Sequence, residues 1–158
     1  MKNIIHSATP VDGVINIPLQ TSCICDIGLV SITLPYTGRN KVDQFYRDLE
    51  ISCDQVDSTV LNCKRLLRRI CTPYQFPNHE TPDLYTTHEF ETILFFPIDS
   101  TDKKLTIRIS DQYGPLYLAK TTAGRQNPHK VTICLQLRPQ KVYIIGIFLH
   151  HLIQHEKV

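Results

Sequence analysis

Alternation of apolar and polar residues in two segments constrains the fold of this chain more than any other feature. Residues 105–109 alternate Leu, Ile and Ile with Thr and Arg, and residues 131–138 alternate Val, Ile, Leu and Leu with Thr, Cys, Gln and Arg. Turn residues at 111–115, Asp-Gln-Tyr-Gly-Pro, follow the first segment. A period of two predicts β-strands in a sheet with one buried and one solvent-facing side.

Further strands are predicted from runs of β-branched and aromatic residues that end at proline or glycine. They cover residues 14–17, 23–34, 89–98 and 141–154. Residues 43–53 and 59–71 fit a helix or a strand, and the proline and strands that flank 59–71 favour a strand there. The count of about eight short strands predicts an all-β chain, a β-sandwich or jelly roll of antiparallel strands.

Length and charge predict one domain with no obligatory nucleic-acid partner. The 158 residues suit a single domain, 1–158, in which we expect segments 1–12 and 150–158 to be flexible or contact-making termini. The formal net charge of +2 is too small to require nucleic acid. The apolar run at 142–153 is too short to cross a membrane, so no membrane span is expected.

Cysteine usage favours a reducing intracellular compartment. The chain has six cysteines, and the run Met1–His6 lacks the apolar stretch of a signal peptide. Several cysteines lie within predicted strands, where a thiol behaves as a small buried apolar group. We therefore expect free thiols rather than a disulfide framework.

The histidines are the best indication of an enzyme in this sequence, but the indication is weak. His150, His151 and His155 lie close together, and in a helix the last two would share a face. No carboxylate-rich motif accompanies them, and the chain has no phosphate-binding glycine loop and no nucleophile elbow. A solvated terminal segment is the favoured interpretation.

Cysteine and aspartate patterns also favour structural roles. Cys23 and Cys25 would share one face of a strand, but they lack the matching second pair of a zinc site, so core thiols are expected. Asp99, Asp102 and Asp111 surround one strand without a nearby nucleophile, so turn capping is expected. The sequence thus predicts no enzyme, no cofactor and no metal.

One basic cluster remains, formed by Lys64, Arg65, Arg68 and Arg69. Lysine and arginine dominate phosphate contacts, so the cluster could meet nucleic acid. It has no interleaved aromatic residues on which bases would stack. A polar strand face or a subunit contact is the alternative, and the sequence leaves both open.

Five segments occur in the order found in one known family. They read DIGLVSITLPY at 26–36, YRDLEI at 46–51, LLRRI at 66–70, LTIRISDQYG at 105–114 and VTICLQLR at 131–138. This series resembles the minor capsid, or penton, proteins of Polinton/Maverick elements and the related adintoviruses. The resemblance covers most of residues 24–138, through short β-rich motifs.

The resemblance implies a single jelly roll that assembles as a homopentamer at the vertices of an icosahedral virion. Its partners would be further copies of itself, the major capsid protein and packaged DNA on the inner face. For such contacts we expect loops 35–42, 73–88 and 119–130. Four tyrosines, a residue type enriched at interfaces, are candidate anchors: Tyr36, Tyr85, Tyr113 and Tyr117. The alternative is a monomeric β-sandwich binding module for a glycan or a protein.

Overall fold

The computed structural model describes residues 1–35, 48–56, 65–71, 85–116 and 130–140. These residues form ten strands in two antiparallel sheets, which makes the described chain all-β and consistent with a β-sandwich. The strands are β1 (Lys2–Ala8), β2 (Val14–Pro18), β3 (Cys23–Pro35), β4 (Asp48–Cys53), β5 (Leu66–Cys71), β6 (Tyr85–Glu89), β7 (Phe95–Ser100), β8 (Lys104–Asp111), β9 (Gly114–Pro115) and β10 (Val131–Pro139).

The first sheet has the order β1-β10-β3-β6, and β7 also pairs with β3. The long strand β3 holds two partners on one edge. Its first half pairs with β7 from Cys23 to Gly28, and its second half pairs with β6 from Ser31 to Pro35. Strand β10 joins β1 to β3, so the first described strand of the chain lies beside the last.

The second sheet has the order β2-β8-β4-β5, and the short strand β9 also pairs with β8. Strand β5 forms one edge of this sheet, next to β4. An isolated antiparallel bridge between Val56 and Ile98 connects the segment that follows β4 to β7 of the first sheet. The two sheets are therefore joined by backbone pairing as well as by side-chain packing.

The core between the sheets is aliphatic and consists largely of isoleucine. The alternation predicted for 105–109 and 131–138 is confirmed, since every apolar residue at the alternate positions of these segments up to residue 135 is buried. Branched side chains pack well on a pleated surface. The largest fully buried side chains are Ile15, Ile17, Ile27, Ile32, Leu34, Leu49, Ile51, Ile98, Leu105, Ile107, Ile109 and Ile133.

The single strand predicted at 89–98 is wrong, because the chain leaves the sheet between β6 and β7. Ile93 in this excursion approaches β3 at Gly28, where a Cβ atom would lie 2.4 Å from Ile93 Cγ2 and 3.1 Å from the Phe95 ring. Two apolar side chains thus cover a position of β3 that must lack a side chain. This packing replaces the regular strand pairing that the composition suggested.

Other boundaries also differ from expectation. The ambiguous segments 43–53 and 59–71 contain β4 and β5, so the strand interpretation of 59–71 is confirmed for its last six residues. Residues 1–12 include β1, and β6 begins at Tyr85, inside the loop expected at 73–88. The predicted strand 141–154, the terminus 150–158 and loop 35–42 beyond Pro35 lie outside the described residues, as does loop 119–130 up to residue 129.

A two-residue turn at Asp12 and Gly13 begins the second sheet. Both residues have positive φ, 48° and 72°, and Val11 and Val14 exchange two backbone hydrogen bonds across them. These are the features of a type I′ hairpin turn, for which Asp-Gly is a favoured pair. The carbonyl of Gly13 also accepts the Ile109 N–H at 2.8 Å, which fixes the turn against β8.

Candidate contact surfaces and an end cavity

The basic cluster lies at the edge of the second sheet. Arg65 precedes β5 and is exposed, while Arg68 and Arg69 lie on β5. Arg69 Nη2 donates to Glu50 Oε1 on the neighbouring strand β4 at 2.5 Å. Lys64 lies outside the described residues. The charge of Arg69 is thus partly balanced within the protein, and contact of the cluster with nucleic acid stays a prediction.

Arg68 has a different environment from Arg69. Its guanidinium carbon lies 4.5 Å from the centroid of the Phe90 ring, and Phe90 packs against the core. Phe90 directly follows β6, an edge strand of the first sheet, whereas Arg68 belongs to an edge strand of the second. The cation–π contact therefore spans the open side of the sandwich between the two sheets. A half-buried charge at an edge strand also discourages pairing with another strand.

An ion pair lies on the second sheet beside these residues. Arg108 Nε and Nη2 donate to the two carboxylate oxygens of Asp54, each at 2.8 Å. Hydrogen bonds from the Arg108 guanidinium are the main cause that lowers the pKa of Asp54 below its ordinary value. This bidentate geometry is the strong form of an arginine–carboxylate contact. Together with Arg69 and Glu50, it gives the solvent-facing side of this sheet a mixed charge.

The two candidate tyrosines in the described ranges, Tyr85 and Tyr113, belong to segments of different sheets. Tyr113 is 52% exposed in the turn between β8 and β9. Tyr85 begins β6 in the other sheet, and its backbone pairs with Pro35 of β3. Tyr36 and Tyr117 lie outside the described residues. Their proposed role as interface anchors stays a prediction.

The aspartates and histidines give no metal centre among the described residues. Asp111 accepts a hydrogen bond from the Tyr113 backbone N–H at 2.8 Å, so the turn-capping role predicted for Asp111 is confirmed. Asp99 lies on β7 and Asp102 in the following turn. No group of three or more histidine, cysteine, aspartate or glutamate residues in the described ranges is arranged to hold a metal. His150, His151 and His155 lie outside these ranges.

Exposed apolar side chains on the first sheet were not singled out from the sequence. Ile5 is 73% exposed on the edge strand β1, where its sequence neighbours on the same face are Asn3 and Ser7. The sequence pattern that marks Ile5 is an apolar residue between two polar residues, Asn3 and Ser7, on the same face of the strand. Beside β7, the Arg138 guanidinium lies 3.8 Å from the Phe95 ring centroid and donates to Asp26 at 3.2 Å.

A cavity of about 370 Å³ lies at the end of the sandwich where β1 and β3 begin and β10 ends. Cys23 and Cys25 line it, and their sulfur atoms are 3.3 Å apart. Burial, the hydrogen bond to Cys23 and the nearby charge of Cys23 raise the pKa of Cys25 to about 12. The expectation that both thiols belong on one face of a strand is confirmed.

The five cysteines in the described ranges are free thiols, namely Cys23, Cys25, Cys53, Cys71 and Cys134. Burial raises the pKa of Cys53 to about 11, so this core thiol is protonated at neutral pH.

No helix among the described residues has the length and apolar character that crossing a membrane requires. Comparison with known proteins gives no match, since no family model, no curated protein and no solved structure matches this chain.

Proposed function

We propose that this chain is a structural capsid protein, a penton-type single jelly roll that forms homopentamers at the vertices of an icosahedral shell. The observation that supports the jelly-roll part of this proposal is the order in which the strands pair. With β6 and β7 taken as one interrupted strand, the pairs run inward from the chain ends: β1 with β10, β2 with β8, β3 with β6 and β7, and β4 with β5. One long hairpin rolled into two sheets would produce this order, so the pairing supports the proposal of an eight-stranded jelly roll.

Jelly rolls also occur in lectins and cupins, so the fold class does not select one function. The resemblance of residues 24–138 to penton proteins favours the capsid role. Of the segments that carry it, 105–114 supplies β8 and the following turn, and 131–138 supplies β10. The resemblance therefore rests in part on strands at the centre of both sheets.

Ring closure by head-to-tail contacts requires two different surfaces on each subunit. In the proposed ring, the β1 edge of the first sheet is one of them, because it presents the exposed apolar side chain of Ile5. A stable contact would bury at least about 1,000 Å² in total.

Assembly with other components completes the proposed role. The major capsid protein would surround the pentamer in the virion. Lys64, Arg65 and Arg69 would meet packaged DNA on the inner face, because lysine and arginine neutralise phosphates. Synthesis in a reducing intracellular compartment agrees with the free thiols of the described cysteines.

The test is the solution mass of the purified chain by light scattering coupled to size exclusion. The monomer mass is 18.2 kDa, and a discrete species of five times that mass, about 91 kDa, is the expected result. Negative-stain images of that species would show five-fold rings. A monomer at every concentration, both alone and with the major capsid protein, would contradict the proposal and favour a monomeric binding module.

A further inference from the structure

The end cavity brings two thiols together on a rigid support. Cys25 is 6% exposed and Cys23 is half-buried and packs against the core. Ile4, Leu19 and Leu137 supply apolar walls. The cavity thus places a pair of sulfur atoms in contact beside apolar side chains.

The strand holds this pair as a dithiol. Cys23 pairs with Ser100 of β7, and Cys25 pairs with Ile98 on one side and Pro139 of β10 on the other. Residues two apart in a strand have Cα atoms roughly 6.6 Å apart. A disulfide prefers Cα separations of about 4.4–6.8 Å, so an extended strand lies near the upper limit of that range. Because two neighbours hold β3 extended here, the two residues stay at the long end of the range for a disulfide, and the described cysteines are free thiols.

We propose that Cys23 and Cys25 form a binding site for one soft monovalent metal ion of the Cu(I) class, ligated by both sulfur atoms after the two side chains rotate apart from their 3.3 Å contact. Thiolate ligands select soft ions, and monovalent ions with a filled d shell accept two-coordinate sulfur sites. On binding, two metal–sulfur bonds form and the two thiol protons pass to solvent, because a ligating thiol is deprotonated. The loaded site carries one negative charge, and the cationic side chain of Lys2 lines the same cavity.

Zinc fits the site less well. Structural zinc is almost always held by four protein ligands. In the described residues, no third histidine, cysteine, aspartate or glutamate completes a group with these two thiols. A site with two sulfur ligands therefore favours the monovalent soft ion.

The first experiment is an anaerobic titration of the reduced full chain with Cu(I) against a chromogenic Cu(I) chelator. The wild-type chain should withdraw one Cu(I) per monomer from the chelator. Cys23→Ser should weaken this binding by more than the roughly 10- to 100-fold that loss of an outer-sphere partner costs. Cys71→Ser, at an exposed thiol on β5, is the matched control and should bind as the wild-type chain does.

A second measurement separates metal binding from any loss of stability in the variants. An ion that binds only the folded chain raises the denaturant midpoint by mass action. One equivalent of Cu(I) should therefore raise the urea midpoint of the wild-type and Cys71→Ser chains and leave that of Cys23→Ser unchanged. Equal binding and equal stabilisation in Cys23→Ser would overturn the site, as would a wild-type chain that withdraws no Cu(I).

Discussion

Arg68 and Phe90 connect the two sheets at the open side of the sandwich, with the guanidinium carbon 4.5 Å from the ring centroid. Neither residue belongs to the sheet of the other. Arg68 is on the edge strand β5, and Phe90 follows the edge strand β6 and donates its backbone N–H to Val30 of β3. The contact covers an aromatic ring that packs on the core, so a residue of the basic cluster contributes to the fold.

Replacing Arg68 tests this contact. Arg68→Ala should lower the free energy of unfolding by about 0.5–2 kcal/mol, the range for exposed to desolvated cation–π contacts. Equilibrium urea unfolding measures the change. Arg65→Ala, at an exposed arginine before the same strand, is the matched control and should stay within about 0.5 kcal/mol of the wild-type chain. Equal effects of Arg68→Ala in the wild-type and Phe90→Leu backgrounds would refute a direct interaction.

Gly28 is required because Ile93 occupies the place of its side chain. Gly28→Ala puts a methyl group 2.4 Å from Ile93 Cγ2, so we expect a loss of about 1–3 kcal/mol through overpacking. Thermal and urea unfolding provide the measurement. Ile93→Ala removes the obstructing atom, and the double variant should lose less stability than the two single variants combined. If the losses of stability in the two single variants simply add in the double variant, the destabilisation by Gly28→Ala does not come from a clash with Ile93.

The Asp54–Arg108 pair predicts a change of stability with pH. The guanidinium lowers the pKa of Asp54 in the folded chain, so the unfolded chain binds the proton more readily. The pair's stabilisation is complete above the unfolded pKa of about 3.9 and declines as the pH falls through the folded pKa. Asp54→Asn should therefore be less stable than the wild-type chain at pH 7, and this difference should shrink below about pH 4.

Urea midpoints measured from pH 7 to pH 3 provide that comparison. The matched background is Arg108→Gln, which removes the donor to both carboxylate oxygens. In that background, the effect of Asp54→Asn should lose most of its pH dependence. A pH dependence that persists without Arg108 would assign the shift to another neighbour.

The proposed ring depends on the exposed edge at β1. Ile5→Lys places a charge at an outward apolar position, and we expect the 91 kDa species to dissociate to an 18.2 kDa monomer with an unchanged unfolding midpoint. Val11→Lys makes the same chemical change at the hairpin turn, where Val11 is 71% exposed, and should leave the ring intact. Light scattering measures both. A ring that survives Ile5→Lys would exclude this edge from the contact.

Packaging of DNA should depend on three residues of the basic cluster, Lys64, Arg65 and Arg69. Arg68 is left out because it contacts Phe90. Replacing Lys64, Arg65 and Arg69 by glutamine should reduce DNA content per particle while the pentamer stays assembled, because phosphate contacts contribute electrostatic affinity. The ratio of DNA to protein in purified particles gives the result. Arg108→Gln, on the same sheet but paired with Asp54, serves as the control. Unchanged DNA content in the triple variant would remove the DNA role.

The strands of the core could be predicted from sequence because their burial is periodic. Residues 105–109 and 131–138 have the alternation of a half-buried strand, and both lie in strands. The aspartate at position 111 also behaves as its residue type predicts. These features are local, since each depends on neighbours within a few residues.

The edge strand and the interrupted strand were harder to predict. Strand β1 has polar residues on much of its outer face and little apolar content to mark it. The break between β6 and β7 depends on Ile93 meeting Gly28, which is distant in sequence. The Arg68–Phe90 contact and the end cavity lined by Cys23 and Cys25 likewise arise from the packing of separate strands. Such features follow from tertiary contacts that no local pattern encodes.

The pairing of β1 with β10 has a consequence for synthesis on the ribosome. Ala8 lies opposite Val131, so the first described strand has no partner in its sheet until the last described strand has been made. Until then β1, which carries the exposed Ile5, has no strand to pair with. Contacts between residues so distant in sequence form slowly. A nascent chain of this design is open to premature association with its neighbours, and a holding chaperone would be of most use during that interval.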